Sequence, residues 1–284
     1  MPSYLCVDAS NQIHRLYHGM PEMVSRKTGK VTHALYGWIH LLAKVRQRIP
    51  FLPADVTTVV FFDSKREVNP DAEPLGFEYK GNRKPADEAL IWQLKMCRKV
   101  TPLMGVKYCE MPGMEADHLL GSFVLSKRNE SKVFILSSDK DMLQLVGGNV
   151  WAVKQGNSDF TLMDTAAVKL KWGVEPNQIA DLLTMMGDTS DNIPGVPGIG
   201  IKTAQKLLAE HGSLDGVLAA LPTMKAGKIR SAFEETLPQI PAIRALTEFH
   251  PLPGLNVHSP TKDYPFLCEV LRQLEMYKTI SLFQ

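Results

Sequence analysis

Short apolar runs rich in β-branched and aromatic residues recur along the first half of the chain: Tyr4–Val7, Val56–Phe62, Val133–Leu136 and, more weakly, Val150–Val153. Such runs predict buried strands. Between the first three, the pattern changes to a helical period. Ala34–Val45 places Leu35, Trp38, Ile39 and Leu42 on one face, and Ala89–Val100 does the same with Leu90, Leu94 and Cys97. Strands alternating with helices predict an α/β fold with a mostly parallel sheet flanked by helices. From about Pro176 the strand signals stop, and short helical stretches are punctuated by Gly and Pro. The expected organisation is an α/β part over 1–175 and a helical part over 176–284, packed together without a low-complexity linker.

Composition narrows the class without naming a function. Hydrophobic residues are 44% and charged residues 22% of 284, the ordinary globular range, so disordered and fibrous classes are excluded. A net charge of +2 removes any bulk electrostatic argument for nucleic acid or membrane, and the case must rest on where charges sit. Cys6, Cys97, Cys109 and Cys268 show no metal-like pair spacing, which fits a reducing, cytosolic setting. The start, MPSYLCVDAS, lacks a basic n-region and a long apolar core, and no apolar stretch approaches the roughly eighteen residues of a membrane span. The expectation is a soluble protein.

Aspartates punctuate the strands. Asp8, Asp63 and Asp139 each follow an apolar run, and in an open parallel sheet the carboxyl ends of strands line the ligand crevice. Each alone reads as a cap for the following helix or turn. Three at the same station would repel unless a cation or protons neutralised them. Further carboxylates come in pairs: Glu115 and Asp117 in the first turn of a helix running through Leu125, Asp139 and Asp141 two apart, and Asp188 and Asp191 three apart, on one face if that segment is helical. A solvated acidic face is the common meaning of such pairs, but Leu182, Leu183, Met185, Met186 and Ile193 flank the last pair. An oxygen-only donor set suits hard divalent ions such as Mg²⁺ or Mn²⁺. Two such ions about 4 Å apart are a common device for in-line phosphodiester displacement.

A glycine hairpin follows: Gly195, Gly198 and Gly200, then Lys202, Thr203 and Lys206 on an amphipathic helix ending at Gly212. A Gly-rich turn alone reads as a structural link between packed helices. The combination GxxGxGxKTAxxLL is a helix–hairpin–helix pattern, which grips a DNA backbone without reading bases. Charge is uneven as well. Phe77–Glu110 holds seven Lys/Arg against four Asp/Glu, and Gly200–Arg230 holds five against two. Tyr79-Lys80-Gly81-Asn82-Arg83-Lys84 interleaves an aromatic with cations, as single-strand binders do.

Seven segments together carry a family likeness: VDASNQIHRLYH (7–18), ALYG (34–37), VVFFD (59–63), EYKGNRKP (78–85), PGMEAD (112–117), SSDKDMLQLV (137–146) and MGDTSDNIPGVPGIGIKTAQKLL (186–208). In these the chain resembles the 5′-nuclease, or flap endonuclease-like, family of the N-terminal domain of bacterial DNA polymerase I and its free-standing phage and bacterial homologues. The resemblance implies a SAM-fold-like α/β core, a helical arch near 77–107 and a C-terminal helix–hairpin–helix region. It implies Mg²⁺- or Mn²⁺-dependent cleavage near 5′ ends, nicks or flaps of DNA, in the cytoplasm of a bacterial cell or phage-infected host. Carried over position by position, the metal residues are Asp8, Asp63, Glu115, Asp117, Asp139, Asp141, Asp188 and Asp191. Lys80 and Arg83 would face the scissile phosphate, Arg15 would contact substrate phosphate, and Tyr79 would stack on a terminal base. The hairpin would hold the downstream duplex, with a K⁺ ion on its carbonyls. One position departs: the family usually reads E-A-D-D where this chain has Glu115-Ala116-Asp117-His118, an imidazole in place of an oxygen ligand.

The expected function is a divalent-metal-dependent 5′→3′ exonuclease with structure-specific endonuclease activity, acting as a monomer. His14, His18 and His118 have no evident Ser or Cys partner, so a catalytic triad is not expected. Two rivals stand beside it: a flap-DNA-binding module whose cleavage His118 has weakened, and a ribonuclease of the PIN-like class. Against the second stand the chain length and the glycine hairpin.

Overall fold

The structure, a computed structural model, describes residues 1–64, 80–81, 85–156 and 159–284. In chain order the elements of the α/β part are β1 (Ser3–Asp8), α1 (Ala9–Gly19), α2 (His33–Ala43), α3 (Val45–Arg48), β2 (Thr57–Phe61), α4 (Glu88–Leu103), β3 (Lys107–Cys109), α5 (Ala116–Lys127), β4 (Lys132–Leu136), β5 (Val150–Gln155), β6 (Phe160–Met163) and α6 (Thr165–Trp172). The helical part continues with α7 (Ile179–Met186), α8 (Ile201–His211), α9 (Leu214–Ala220), α10 (Lys228–Thr236), α11 (Ile240–Thr247), α12 (Tyr264–Gln273) and α13 (Tyr277–Ile280). No helix among the described residues is long and apolar enough to cross a membrane.

The strands form one sheet in the order β3-β2-β1-β4-β5-β6, parallel throughout except for the antiparallel β5–β6 pair. Strand alternation explains the uninterrupted apolar runs. Leu5, Val7, Val60, Phe134 and Leu136 point into one core with Trp38 and Cys97, whereas Cys6, Val59, Phe61, Val133 and Ile135 point into a second core under α5. A sheet buried on both faces needs apolar residues at both parities. The strand order reverses between β1 and β4, so the crevice at that switch point opens over the ends of those two strands.

The structure sharpens three points of the sequence reading. The start of the arch expected near 77–107 lies partly outside the described residues, and from Glu88 onward the segment is a regular helix. It is α4, which buries Leu90, Gln93, Cys97 and Val100 against the core, and Gln93 Oε1 accepts the Ala34 and Leu35 amides at the start of α2 at 2.8 and 3.1 Å. Second, β3 and β6 carried no strand signal, because each is a short edge strand with exposed positions. Third, Asp188 and Asp191 do not share a helical face. Helix α7 stops at Met186, Gly187 turns the chain at φ 74°, and Asp188 and Ile193 exchange backbone hydrogen bonds of 2.9 and 2.8 Å across a tight turn.

The helical part is continuous with the α/β part. Leu143, Val146, Ala152, Met163 and Val168 share a core with Leu182, Leu183, Leu207 and Phe233. The chain then returns to the sheet: Phe249 packs under α5, and Leu267, Leu271 and Ile280 join the core beside α2 and α4.

Candidate active site

Asp8 ends β1 and is 6% exposed. One of its oxygens caps α1 by accepting the Asn11 amide at 3.0 Å, and the other accepts the Ser137 hydroxyl at 3.0 Å. The capping reading therefore holds for this residue. Burial first, then the like charges of Asp63, Asp117 and Asp139, push its carboxyl up to about 8, against the pull of the Asn11 amide. Asp63, just past β2, accepts the Ala116 amide at 2.8 Å and the Ser10 hydroxyl, so it ties the starts of α5 and α1 to the strand end.

Two clusters flank this centre. At the head of α5, ligand atoms of Glu115, Asp117 and His118 lie within 4.8 Å of one another. Glu115 sits at the cap position of α5 without making a capping bond, and its side chain instead meets Lys80 Nζ at 2.9 and 3.1 Å. Lys80 Nζ also lies 3.8 Å from Asp117 and 3.7 Å from Asp191. His118 Nδ1 is 2.8 Å from Asp117 Oδ1, and its ring stands edge-on to Phe249. Burial would raise Asp117, but the hydrogen bond and charge of His118, with Lys80, outweigh it and hold this carboxyl well below the usual range. Burial works against His118 protonation, yet Asp117 and then Glu115 raise its pKa.

The second cluster is made by Asp141, Asp188 and Asp191, all buried, again with ligand atoms within 4.8 Å. Asp141 opens a 3₁₀ turn (Asp141–Leu145), its amide bonded to Asp139 Oδ1 at 3.0 Å. Asp188 is compensated: Lys140 Nζ lies 2.6 Å from one oxygen, and the Ser190 amide and hydroxyl donate to the other at 2.8 and 2.5 Å. Although burial opposes it, these contacts lower the Asp188 carboxyl. Asp141 has no such help. Burial, then Asp139, Asp188 and Asp191, drive it well above the ordinary value against the pull of Lys140, and its Oδ1 is buried with no hydrogen-bond partner among the described residues. Burial also raises Asp139. An orphaned buried carboxylate oxygen among like charges fits a hard divalent cation, and the nearly all-oxygen donor set agrees.

The hairpin begins four residues beyond Asp191. A Cβ on Gly195 would lie 2.3 Å from the Gly187 nitrogen, so two glycines let the hairpin press against the end of α7. Gly198 takes φ +77° at an exposed turn, and Gly200 is the uncapped N-cap of α8. Lys202 and Lys206 are exposed, Thr203 is half-buried, and Lys206 reaches Glu210 at 3.7 Å. Arg15 donates to the carbonyls of Gln155 and Gly156 at 3.2 and 2.9 Å. Tyr79 and Arg83 lie outside the described residues.

Sequence reasoning passed over Ser10, Asn11, Ser137, Lys140 and Ser190, which hold or neutralise the carboxylates. Gln144 was missed too. Its amide donates to the Asp141 and Thr247 carbonyls at 3.0 and 2.8 Å and accepts the Phe249 amide at 3.1 Å. Lys140, placed between two aspartates, was the one legible signal among them.

A sheet with acidic groups at its switch point and a helix–hairpin–helix beside it defines a class, and comparison names it. The family model described as 5′–3′ exonuclease, N-terminal resolvase-like domain, matches residues 3–173. A second, described as 5′–3′ exonuclease, C-terminal SAM fold, matches residues 174–259. The chain belongs to the 5′–3′ exonuclease family, as its sequence motifs implied. The SAM description falls on the helical residues rather than on the α/β core, where the motif reading had put it.

A 5′–3′ exonuclease of Buchnera aphidicola (subsp. Acyrthosiphon pisum) is 31% identical over 230 residues, 80% of this chain and 77% of that protein. DNA polymerase I of Mycobacterium tuberculosis is 31% identical over 252 residues, which cover 87% of this chain but 27% of the polymerase. This chain thus spans about a quarter of the length of the polymerase relatives it matches. The bacteriophage T5 flap endonuclease, solved with DNA and metal ions, shares the fold at a TM-score of 0.68 and 21% identity, over 99% of this chain and 98% of that one. The expected fold and enzyme class are borne out.

Proposed function

We propose that this chain cleaves DNA strands near their 5′ ends, as an exonuclease and as an endonuclease at nicks and 5′ flaps, using Mg²⁺ or Mn²⁺. The observation that carries the reading is the buried Asp141 oxygen that has no hydrogen-bond partner among the described residues, set beside Asp139, Asp188 and Asp191 in a member of this family. Asp8, Asp63, Glu115, Asp117, Asp139, Asp141, Asp188 and Asp191 would hold the ions, Asp63 while also fastening α1 and α5. Divalent ions bound there would polarise the phosphodiester and make water a competent nucleophile near neutral pH.

The chain's own groups do the rest. Lys80, with Arg83, stabilises the negative charge that grows on the scissile phosphate, a contribution larger in the transition state than before it. Arg15 steadies a neighbouring phosphate, and Tyr79 stacks on the terminal base. Gly195, Gly198 and Gly200 let backbone amides approach the downstream duplex, and Lys202, Thr203 and Lys206 contact its phosphates, with K⁺ on the hairpin carbonyls. Such contacts carry no base specificity. The protein acts as a monomer in the cytoplasm of a bacterial or phage-infected cell.

Labelled 5′-flap DNA and a matched RNA, each incubated with Mg²⁺, Mn²⁺ or EDTA, test this reading. Metal-dependent release of short 5′ products from DNA is expected. Binding without cleavage in either metal would replace the enzyme with a flap-binding module, and a strong RNA preference would point to a ribonuclease.

A further inference from the structure

The placement of Lys80 is more than that of a cation waiting for a phosphate. Its side chain is 7% exposed, and its ammonium sits 2.9 Å from Glu115, 3.8 Å from Asp117 and 3.7 Å from Asp191. It therefore bridges the two acidic clusters from the space between them. The backbone is held as well. The Lys80 amide donates to the Asp191 carbonyl at 2.8 Å, and the residue takes φ 56°, a left-handed conformation uncommon for a side chain with a Cβ. Such strain persists only where surrounding contacts impose it. The next residue, Gly81, is exposed in the same turn.

We propose that Lys80 is a built-in counter-ion of the metal site, occupying the space among Glu115, Asp117 and Asp191 and leaving it as divalent cation enters. This inference rests on the metal reading above and adds to it a competition between one side chain and the cofactor. A buried charge needs a partner, and three carboxylates facing each other need one most. Lys80 supplies it in the metal-free protein. When an ion binds the same carboxylates, the ammonium is repelled at short range and its flexible four-carbon stem lets it swing while the backbone stays pinned to Asp191. The charge released from the carboxylates becomes the charge offered to the scissile phosphate. Metal loading and substrate readiness are thereby one exchange.

The competition predicts an effect that is opposite in sign to any loss of structure. Mn²⁺ binding to the DNA-free protein, followed by isothermal titration and by the electron-paramagnetic signal of free Mn²⁺, should tighten about tenfold in Lys80→Met. Lys80→Arg, which keeps the charge, should stay near the wild-type affinity. Lys80→Ala serves as a second neutral variant and should shift in the same direction as Lys80→Met. Unchanged or weaker Mn²⁺ binding in both neutral variants would overturn the counter-ion. If the wild type bound no Mn²⁺ at all, the metal reading itself would fall and this inference with it, so the two failures are told apart in one titration.

Discussion

The two acidic clusters contain the same kinds of groups under opposite electrical conditions. At the head of α5, Glu115 and Asp117 meet Lys80 and His118, and Asp117 is held below the usual carboxylate range. Across the crevice, Asp188 has Lys140 at 2.6 Å and Asp191 has the same Lys80 at 3.7 Å, while Asp141 and Asp139 are raised above the usual range. The first cluster is satisfied by the protein's own charges. In the second, Asp141 Oδ1 is buried with no hydrogen-bond partner among the described residues. A protein tolerates such a group where something absent from the chain completes it.

The largest expected effect follows from that deficit. Asp141→Asn should lower cleavage by about three orders of magnitude, since the side chain proposed to hold an ion loses its charge. The same change should stabilise the metal-free protein by on the order of 1 kcal/mol, because it removes a buried like charge. A thermal melt in EDTA would show this as a rise of about 2 °C or more. Equal or lower stability would mean the cluster is already neutral, and the contrast between the clusters would disappear.

Metal itself should do what the mutation does to stability, and more. Saturating Mg²⁺ at about a hundred times its Kd adds about 2.7 kcal/mol to the wild type. The gain should shrink in Asp141→Asn, and an undiminished gain would place the binding elsewhere.

The turn that presents Asp188 and Asp191 depends on the contact between Gly187 and Gly195. Gly195→Ala should cost about 2 kcal/mol or more, because the new Cβ would meet backbone atoms that cannot move aside. Gly198→Ala, at φ +77° but with nothing within 4 Å, should cost about 1 kcal/mol. Urea denaturation of both variants checks the order, and its reversal would show that the hairpin does not brace the second cluster.

The smallest effect concerns His118. His118→Asp replaces the partner of Asp117 with an oxygen donor, so activity at limiting Mg²⁺ should rise about threefold and any preference for Mn²⁺ should narrow. Metal titrations of rate at fixed pH decide. Indistinguishable curves would restrict His118 to positioning Asp117 through its Nδ1 while its ring packs edge-on to Phe249.

Much of this was legible before the fold was seen. The strands β1, β2 and β4 announced themselves because both faces are buried, and Asp8, Asp63 and Asp139 ended their apolar runs where a parallel sheet opens. The edge strands β3 and β6 did not, having too few buried positions to leave a pattern. Asp188 and Asp191 were legible as a pair three apart; a glycine turn, rather than a shared helical face, brings them together. The counter-charges were hidden for a different reason. Lysine tells little about its partner from sequence, and Lys80 meets Glu115 across 35 residues, Lys140 meets Asp188 across 48. Which carboxylates remain uncompensated is therefore a property of the fold.

The most direct measurement is a crystal of the wild-type protein soaked in Mn²⁺ and examined for anomalous scattering. The account predicts a peak bounded by Asp141, Asp188 and Asp191, a second beside Glu115 and Asp117, and Lys80 Nζ withdrawn from the space among Glu115, Asp117 and Asp191. A soaked crystal with no peak at Asp141, and with Lys80 still seated on Glu115, would contradict it.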